Sequence, residues 1–184
     1  MLNSMLVAGF LMGATPQVGE TAPDFTVKDT SGTTHSLSEM VKKGPVILAF
    51  FPKAFTGGCT KELTAYKDRY TDVEKLNGQL LAVSTDAQED LVKFKESLKA
   101  PFAFVPDPEA TLTSLYDVKM PVMKLANRYT FVIGEDRKIL KVDSGKDAID
   151  VNGAIASCPL RKKTDAAAKD TMKPAPAATP APTK

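Results

Sequence analysis

Apolar residues in this chain fall into short blocks between polar turns, and the spacing inside each block predicts the element it builds. Val46-Ile47-Leu48-Ala49-Phe50-Phe51 is a continuous apolar run of strand length, the pattern of a strand buried on both faces. Leu80 to Val83 and Phe102 to Val105 repeat that pattern more briefly. Tyr129 to Ile133 and Lys138 to Val142 read as two strands joined by the tight polar turn Gly134-Glu135-Asp136-Arg137. Between Cys59 and Leu76 the period changes. Leu63, Tyr66, Tyr70 and Val73 recur at helical spacing, and Asn77-Gly78 supplies the stop. Asp86 to Leu98 reads as a second helix, with Leu91, Phe94 and Leu98 on one side, Asp86 as its N-cap and Pro101 beyond its end. Shorter helices are expected from Ser36 to Glu39, from Ala110 to Tyr116 and from Ala148 to Ser157. Phe25 to Val27 and the region around Thr34 form an opening hairpin turned by Thr30-Ser31-Gly32.

The core order is therefore β-α-β-α-β-β-α. Helical crossovers link parallel strands and a tight turn links antiparallel ones. The expected architecture is an α/β domain with a mixed central sheet flanked by helices, the arrangement of a thioredoxin-like fold.

Composition changes this picture only at the ends. With 184 residues, 43% of them hydrophobic and 25% charged, one domain with a full core is expected. The tail from about residue 163 is rich in Ala, Pro and Lys and nearly free of large apolar side chains, so it reads as disordered. Residues 18–162 then form the domain, and residues 1–17 an apolar extension. Within that extension, Met5 to Ala14 has the length of a signal-peptide core, but no Lys or Arg precedes it and Met12 occupies a position where cleavage sites want a small residue. Two readings stand: an export signal, which would place the protein in the cell envelope, or a segment packed on the domain or a partner subunit of a cytoplasmic protein. The run is too short to predict a membrane span.

Charge excludes more. Lys and Arg total 24 against 22 Asp and Glu, and a net charge of +2 offers nothing to nucleic acid. There is one histidine, His35, read as a surface residue, so His-rich metal sites are excluded. Two cysteines about a hundred residues apart form neither a zinc knuckle nor a Cys-x-x-Cys pair, though they could form one disulfide, lasting or transient.

The candidate chemistry lies where the first strand ends. Pro52 stops it, a Gly-containing loop follows, and Cys59 opens the long helix. A thiol there faces unpaired backbone N–H groups and the positive end of the helix dipole, which favours the reactive thiolate.

Pro52, Thr56 and Cys59 stand as Pro-x-x-x-Thr-x-x-Cys, and Arg128 opens Arg-Tyr-Thr-Phe-Val-Ile. This resembles the peroxiredoxins, the alkyl hydroperoxide reductase/thiol-specific antioxidant family. The string from Phe50 to Glu62 looks most like the bacterioferritin-comigratory subgroup. Gly19 to Phe25 and Val83 to Asp86 are similar to other family segments. The resemblance spans about Val18 to Leu160.

It implies a cofactor-free antioxidant peroxidase that reduces hydrogen peroxide and organic hydroperoxides, with electrons from a thioredoxin-like or other thiol reductant. The protein would be a monomer or homodimer. Cys59 would be the nucleophile, oxidised to a sulfenic acid. Arg128 would sit by the sulfur and hydrogen-bond the peroxide. The Thr56 hydroxyl would accept from the substrate and donate to the sulfur, and Pro52 would shape and shield the loop. Glu62 matches a family position; it reads equally as an orienter of Arg128 or a solvated helix residue.

A resolving cysteine five residues after the nucleophile is common in that subgroup, but that position here is Thr64. Cys158, before Pro159, is the other candidate, and a one-cysteine cycle is the alternative. Two competing functions remain open: a thioredoxin-like disulfide oxidoreductase, which lacks its usual adjacent cysteine pair, and a non-enzymatic redox adaptor.

Overall fold

A computed structural model of the chain describes residues 14–159. The Met5 to Ala14 run lies almost wholly outside these residues, and the tail from residue 163 wholly so. The chain opens with a hairpin of β1, Thr26–Lys28, and β2, Thr34–Ser36, followed by the short helix α1, Leu37–Met40. β3 is Val46–Phe50, and α2, Gly57–Asp68, and α3, Tyr70–Lys75, lead to β4, Gln79–Ser84. α4, Gln88–Leu98, β5, Ala103–Pro106, and α5, Thr111–Leu115, follow. β6, Tyr129–Ile133, β7, Ile139–Ser144, a 3-10 turn at Asp147–Ile149 and α6, Val151–Ala156, complete the described residues.

The five-stranded sheet has the order β5-β4-β3-β6-β7. β3, β4 and β5 run parallel, β6 runs antiparallel to β3, and β7 runs antiparallel to β6. The expected mixed sheet is present, and its central strand shows why that run had to be continuously apolar. Ile47, Ala49 and Phe51 pack into one buried cluster with residues of α2, α4 and α6. Val46, Leu48 and Phe50 pack into the other, with α1, α5, Phe131 and Ile133. No helix among the described residues is long and apolar enough to cross a membrane.

Three expected elements differ. The helix from Cys59 to Leu76 starts two residues earlier and is broken at Arg69, whose backbone leaves the helical region (φ −108°, ψ 11°). The Arg69 guanidinium bonds Asp72 in α3 and Asn152 in α6 at this break. Leu63, Tyr66 and Val73 are nevertheless all buried on one side, so the apolar period runs straight through the kink. Asp86 does not cap α4; Ala87 does, in extended conformation. The last helix is split because the Asp150 carboxylate accepts from Asn152 N–H and starts α6 afresh. His35 is not a free surface residue either: its Nε2 lies 2.9 Å from Asp29 Oδ2.

Candidate active site

The loop between β3 and α2 is tied down from one side. Phe51 N–H donates to Val83 O at 3.0 Å, continuing the parallel ladder past the strand end. Pro52, half-buried and without an N–H, then turns the chain out of the sheet. The buried Asp86 carboxylate takes over. Its Oδ2 accepts from Ala54 N–H and from Ser84 Oγ, both at 2.7 Å, and its Oδ1 accepts from Lys53 Nζ at 3.1 Å. Phe55 follows at φ +61°, a conformation costly for an aromatic residue. Its ring packs on Phe94 with centroids 4.9 Å apart, although the side chain is largely exposed.

Asp86→Ala removes the partner of a buried N–H and of a buried hydroxyl together. We expect it to cost about 2 kcal/mol or more of unfolding free energy, read by urea titration.

Thr56 is the extended N-cap of α2 (φ −86°, ψ 148°). Its hydroxyl donates to Lys53 O at 2.9 Å. A hydroxyl has one proton, so in this conformation Thr56 does not donate to the sulfur as expected; its lone pairs still face outward as acceptors. The helix begins on two glycines, an unfavourable start by propensity, which is why the expected boundary fell at Cys59. The first amide to close the helix ladder is Thr60, onto Thr56 O at 2.9 Å. The N–H groups of Gly57, Gly58 and Cys59 thus stay outside the ladder, at the positive end of the helix. Cys59 is fully buried.

Arg128 arrives from the strand on the other side of β3. Register places Ala49 opposite Thr130, so the residue two before Thr130 reaches the β3 end from which the loop departs. Arg128 Nη2 donates to Cys59 Sγ at 3.2 Å, and Nη1 donates to Glu62 Oε2. The fork thus bridges sulfur and carboxylate. Gly58 makes room for it, since a Cβ there would lie 3.0 Å from Arg128 Nη2. Burial works against the Arg128 charge, but the Glu62 carboxylate and the sulfur outweigh it and hold the guanidinium firmly protonated.

Glu62 is therefore the buried orienter of Arg128 and not a solvated helix residue. Burial pushes its carboxyl up to about 7, and the Arg128 charge opposes that rise. Its place three residues after Cys59 puts it on the same helix face, a position that does not by itself separate a buried carboxylate from a solvated one.

The structure brings Pro52, Thr56, Cys59 and Arg128 to one end of the sheet. Cys158 stands apart from the fork, just past α6, although it belongs to the same buried cluster as Cys59. Both thiols are free. Cys158 Sγ points to Ala154 O at 3.6 Å, and burial pushes its thiol up to about 11.

Comparison with known proteins agrees with this geometry. Residues 18–142 match the AhpC/TSA family. Peroxiredoxin Bcp of Bacillus subtilis is 32% identical over 133 residues, covering 69% of this chain and 84% of that protein. The crystal structure of peroxidoxin BcpB from Mycobacterium tuberculosis superposes with a TM-score of 0.72 at 33% identity, over 77% of this chain and 96% of that one. PrxQ from Xylella fastidiosa shares the fold with a TM-score of 0.68 at 22% identity, over 79% of this chain and 98% of that one. With a family match over residues 18–142 and a relative 32% identical over 84% of that protein's length, the chain belongs to the AhpC/TSA family, among the peroxiredoxins.

Proposed function

We propose that this chain is a thiol-dependent peroxidase in which Cys59 reduces hydrogen peroxide and organic hydroperoxides, and we assign the activity to the domain spanning residues 18–162. The observation that carries this reading is the bond from Arg128 Nη2 to Cys59 Sγ, made where three backbone N–H groups of α2 are outside the helix ladder. Those donors and the guanidinium converge on the place where a peroxide oxygen must sit.

In the reaction, the Cys59 thiolate attacks the terminal oxygen of R–O–O–H. An S–O bond forms as the O–O bond breaks, and the sulfur is oxidised by two electrons to the sulfenic acid. The leaving RO⁻ carries the displaced electron pair and takes up a proton to become ROH. Thr56 accepts from the peroxide O–H, which aims the attacked oxygen at the sulfur. Arg128 and the free N–H groups stabilise the negative charge moving onto the departing oxygen. The sulfur has no exposed surface and the Arg128 side chain is largely buried, so this donor acts on the sulfur with little competition from bulk water.

The test mixes the reduced full chain with one equivalent of hydrogen peroxide. One thiol should be lost per peroxide consumed, and a sulfenate-trapping dione should mark Cys59. An unmarked Cys59 with peroxide left intact contradicts the reading.

Recycling requires an outside reductant. We propose that an external thiol attacks the Cys59 sulfenic acid directly, releases water, and leaves a mixed disulfide that a second thiol, of a thioredoxin-like or other donor, resolves. The Cys158 thiol supports this, because burial pushes it up to about 11 and a protonated thiol is a poor nucleophile at neutral pH. Cys158→Ser should keep turnover within about twofold, with no Cys59–Cys158 disulfide on non-reducing gels of the peroxide-treated parent. A disulfide that disappears with this substitution, together with lost turnover, would assign Cys158 as the resolving cysteine instead.

A further inference from the structure

Behind the guanidinium, on the side away from the sulfur, lie polar groups that the peroxide chemistry leaves unused. Glu62 engages Arg128 through Oε2, but its Oε1 has no hydrogen-bond partner within the protein. The Tyr66 hydroxyl, Thr130 Oγ1 and Asp143 Oδ2 have none either. Glu62 and Tyr66 are wholly buried and Thr130 is 1% exposed.

These groups lie in one region. Tyr66 is one helical turn beyond Glu62 on the same face of α2. Thr130 follows Arg128 by two residues in extended chain, so both lie on one sheet face. Across the ladder Thr130 faces Asp143 on β7 and Ala49 on β3. Thr130 approaches the Tyr66 phenol without closing a bond of ordinary geometry. Burial first, then the nearby Glu62, Asp143 and Cys158, keep that phenol un-ionised, so it carries a proton to donate.

Buried polar atoms in native proteins are almost always satisfied, and clusters that do not reach one another directly are bridged by internal water. We propose that Tyr66 is a positioning residue for the Glu62–Arg128 pair. Its hydroxyl, through an internal water shared with Glu62 Oε1 and backed by Thr130 and Asp143, holds the second carboxylate oxygen and so fixes the guanidinium against Cys59.

The consequence is a pH dependence. Glu62 is faced by Arg128 from the segment before β6, which also holds Cys59, and by Tyr66 of α2, whose own hydroxyl is faced by Asp143 of β7 and by Cys158 after α6. Lys141 pairs with Asp143 and offsets its charge. Protonation of Glu62 frees Arg128 Nη1, so the reactivity of Cys59 falls as pH drops through the Glu62 transition. A donor to the ionised carboxylate keeps that transition low, and losing the donor moves it up.

The experiment uses the full chain with Tyr66→Phe, which keeps the packed ring and removes only the hydroxyl. Stopped-flow oxidation of Cys59 by hydrogen peroxide is followed from about pH 5 to pH 9, and iodoacetamide alkylation of Cys59 over the same range. The acid limb of both profiles should move up by about one pH unit, and the rate at neutral pH should fall roughly fivefold. Thr130→Val should shift the limb in the same direction by less, and it serves as the second variant should Tyr66→Phe fail to fold. In a Glu62→Gln background the hydroxyl deletions should no longer move the limb. A limb that stays in place in both hydroxyl-deleted variants overturns the proposal, whatever happens to thermal stability. The inference rests on the peroxidase reading only for its peroxide arm: an unreactive parent would defeat that reading, while the alkylation profile would still decide the role of Tyr66.

Discussion

Cys59→Ser is expected to abolish peroxide consumption and leave the fold intact. Serine can accept the Arg128 hydrogen bond in the same buried position, so stability should change by no more than about 1 kcal/mol. Its oxygen, however, cannot be oxidised to the equivalent of a sulfenic acid, and at neutral pH its hydroxyl stays protonated. Cys158 is no substitute, because it is buried and its thiol is pushed up to about 11. Peroxide loss in this variant should match that of the reductant alone, as followed by ferric–xylenol orange assay. Activity above about 1% of the parent would mean that another group performs the chemistry.

Arg128→Ala is expected to produce the next largest loss, and magnitudes show why ionisation alone cannot explain it. A free thiol with a pKa near 8.5 is about 3% ionised at pH 7, so full ionisation is worth roughly 30-fold at most. Greater thiolate character also costs some intrinsic nucleophilicity. Removing one donor that stabilises a developing oxyanion typically costs about 10²- to 10³-fold. The variant should therefore lose about 10³-fold or more in the second-order rate constant at neutral pH, and alkaline pH should recover only the smaller ionisation part. Full recovery at high pH would assign Arg128 to ionisation alone. Arg128→Lys should also fall short, since an ammonium lacks the fork that holds Cys59 Sγ and Glu62 Oε2 together.

Much of the scaffold was legible in the chain because burial on two faces leaves a distinct trace. Val46 to Phe50 is apolar throughout because alternate residues enter different cores. The helix break at Arg69 left no such trace, since Leu63, Tyr66 and Val73 keep one period on both sides of it. Asp86 was misplaced because a carboxylate before a helix satisfies the rules for a cap, and only the folded loop shows that Ala54 N–H and Ser84 Oγ claim it first.

The site was legible in part. Arg128 is 69 residues from Cys59, and nothing in local periodicity joins them; the family resemblance did. The physical link is the antiparallel pairing of β6 beside β3. Glu62 could not be decided from sequence, because an acidic residue three positions after the cysteine looks the same in solvent or in a core. The partner that decides the matter arrives from another strand. Tyr66 read simply as part of an apolar stripe, and its hydroxyl became a question only once its neighbours were in place.

The most direct measurement is the second-order rate constant of reduced Cys59 with hydrogen peroxide and with an organic hydroperoxide, compared with free cysteine at the same pH. A sulfur addressed by Arg128 and by the first amides of α2 should react at least about 10³-fold faster. A rate no greater than that of free cysteine would contradict the account.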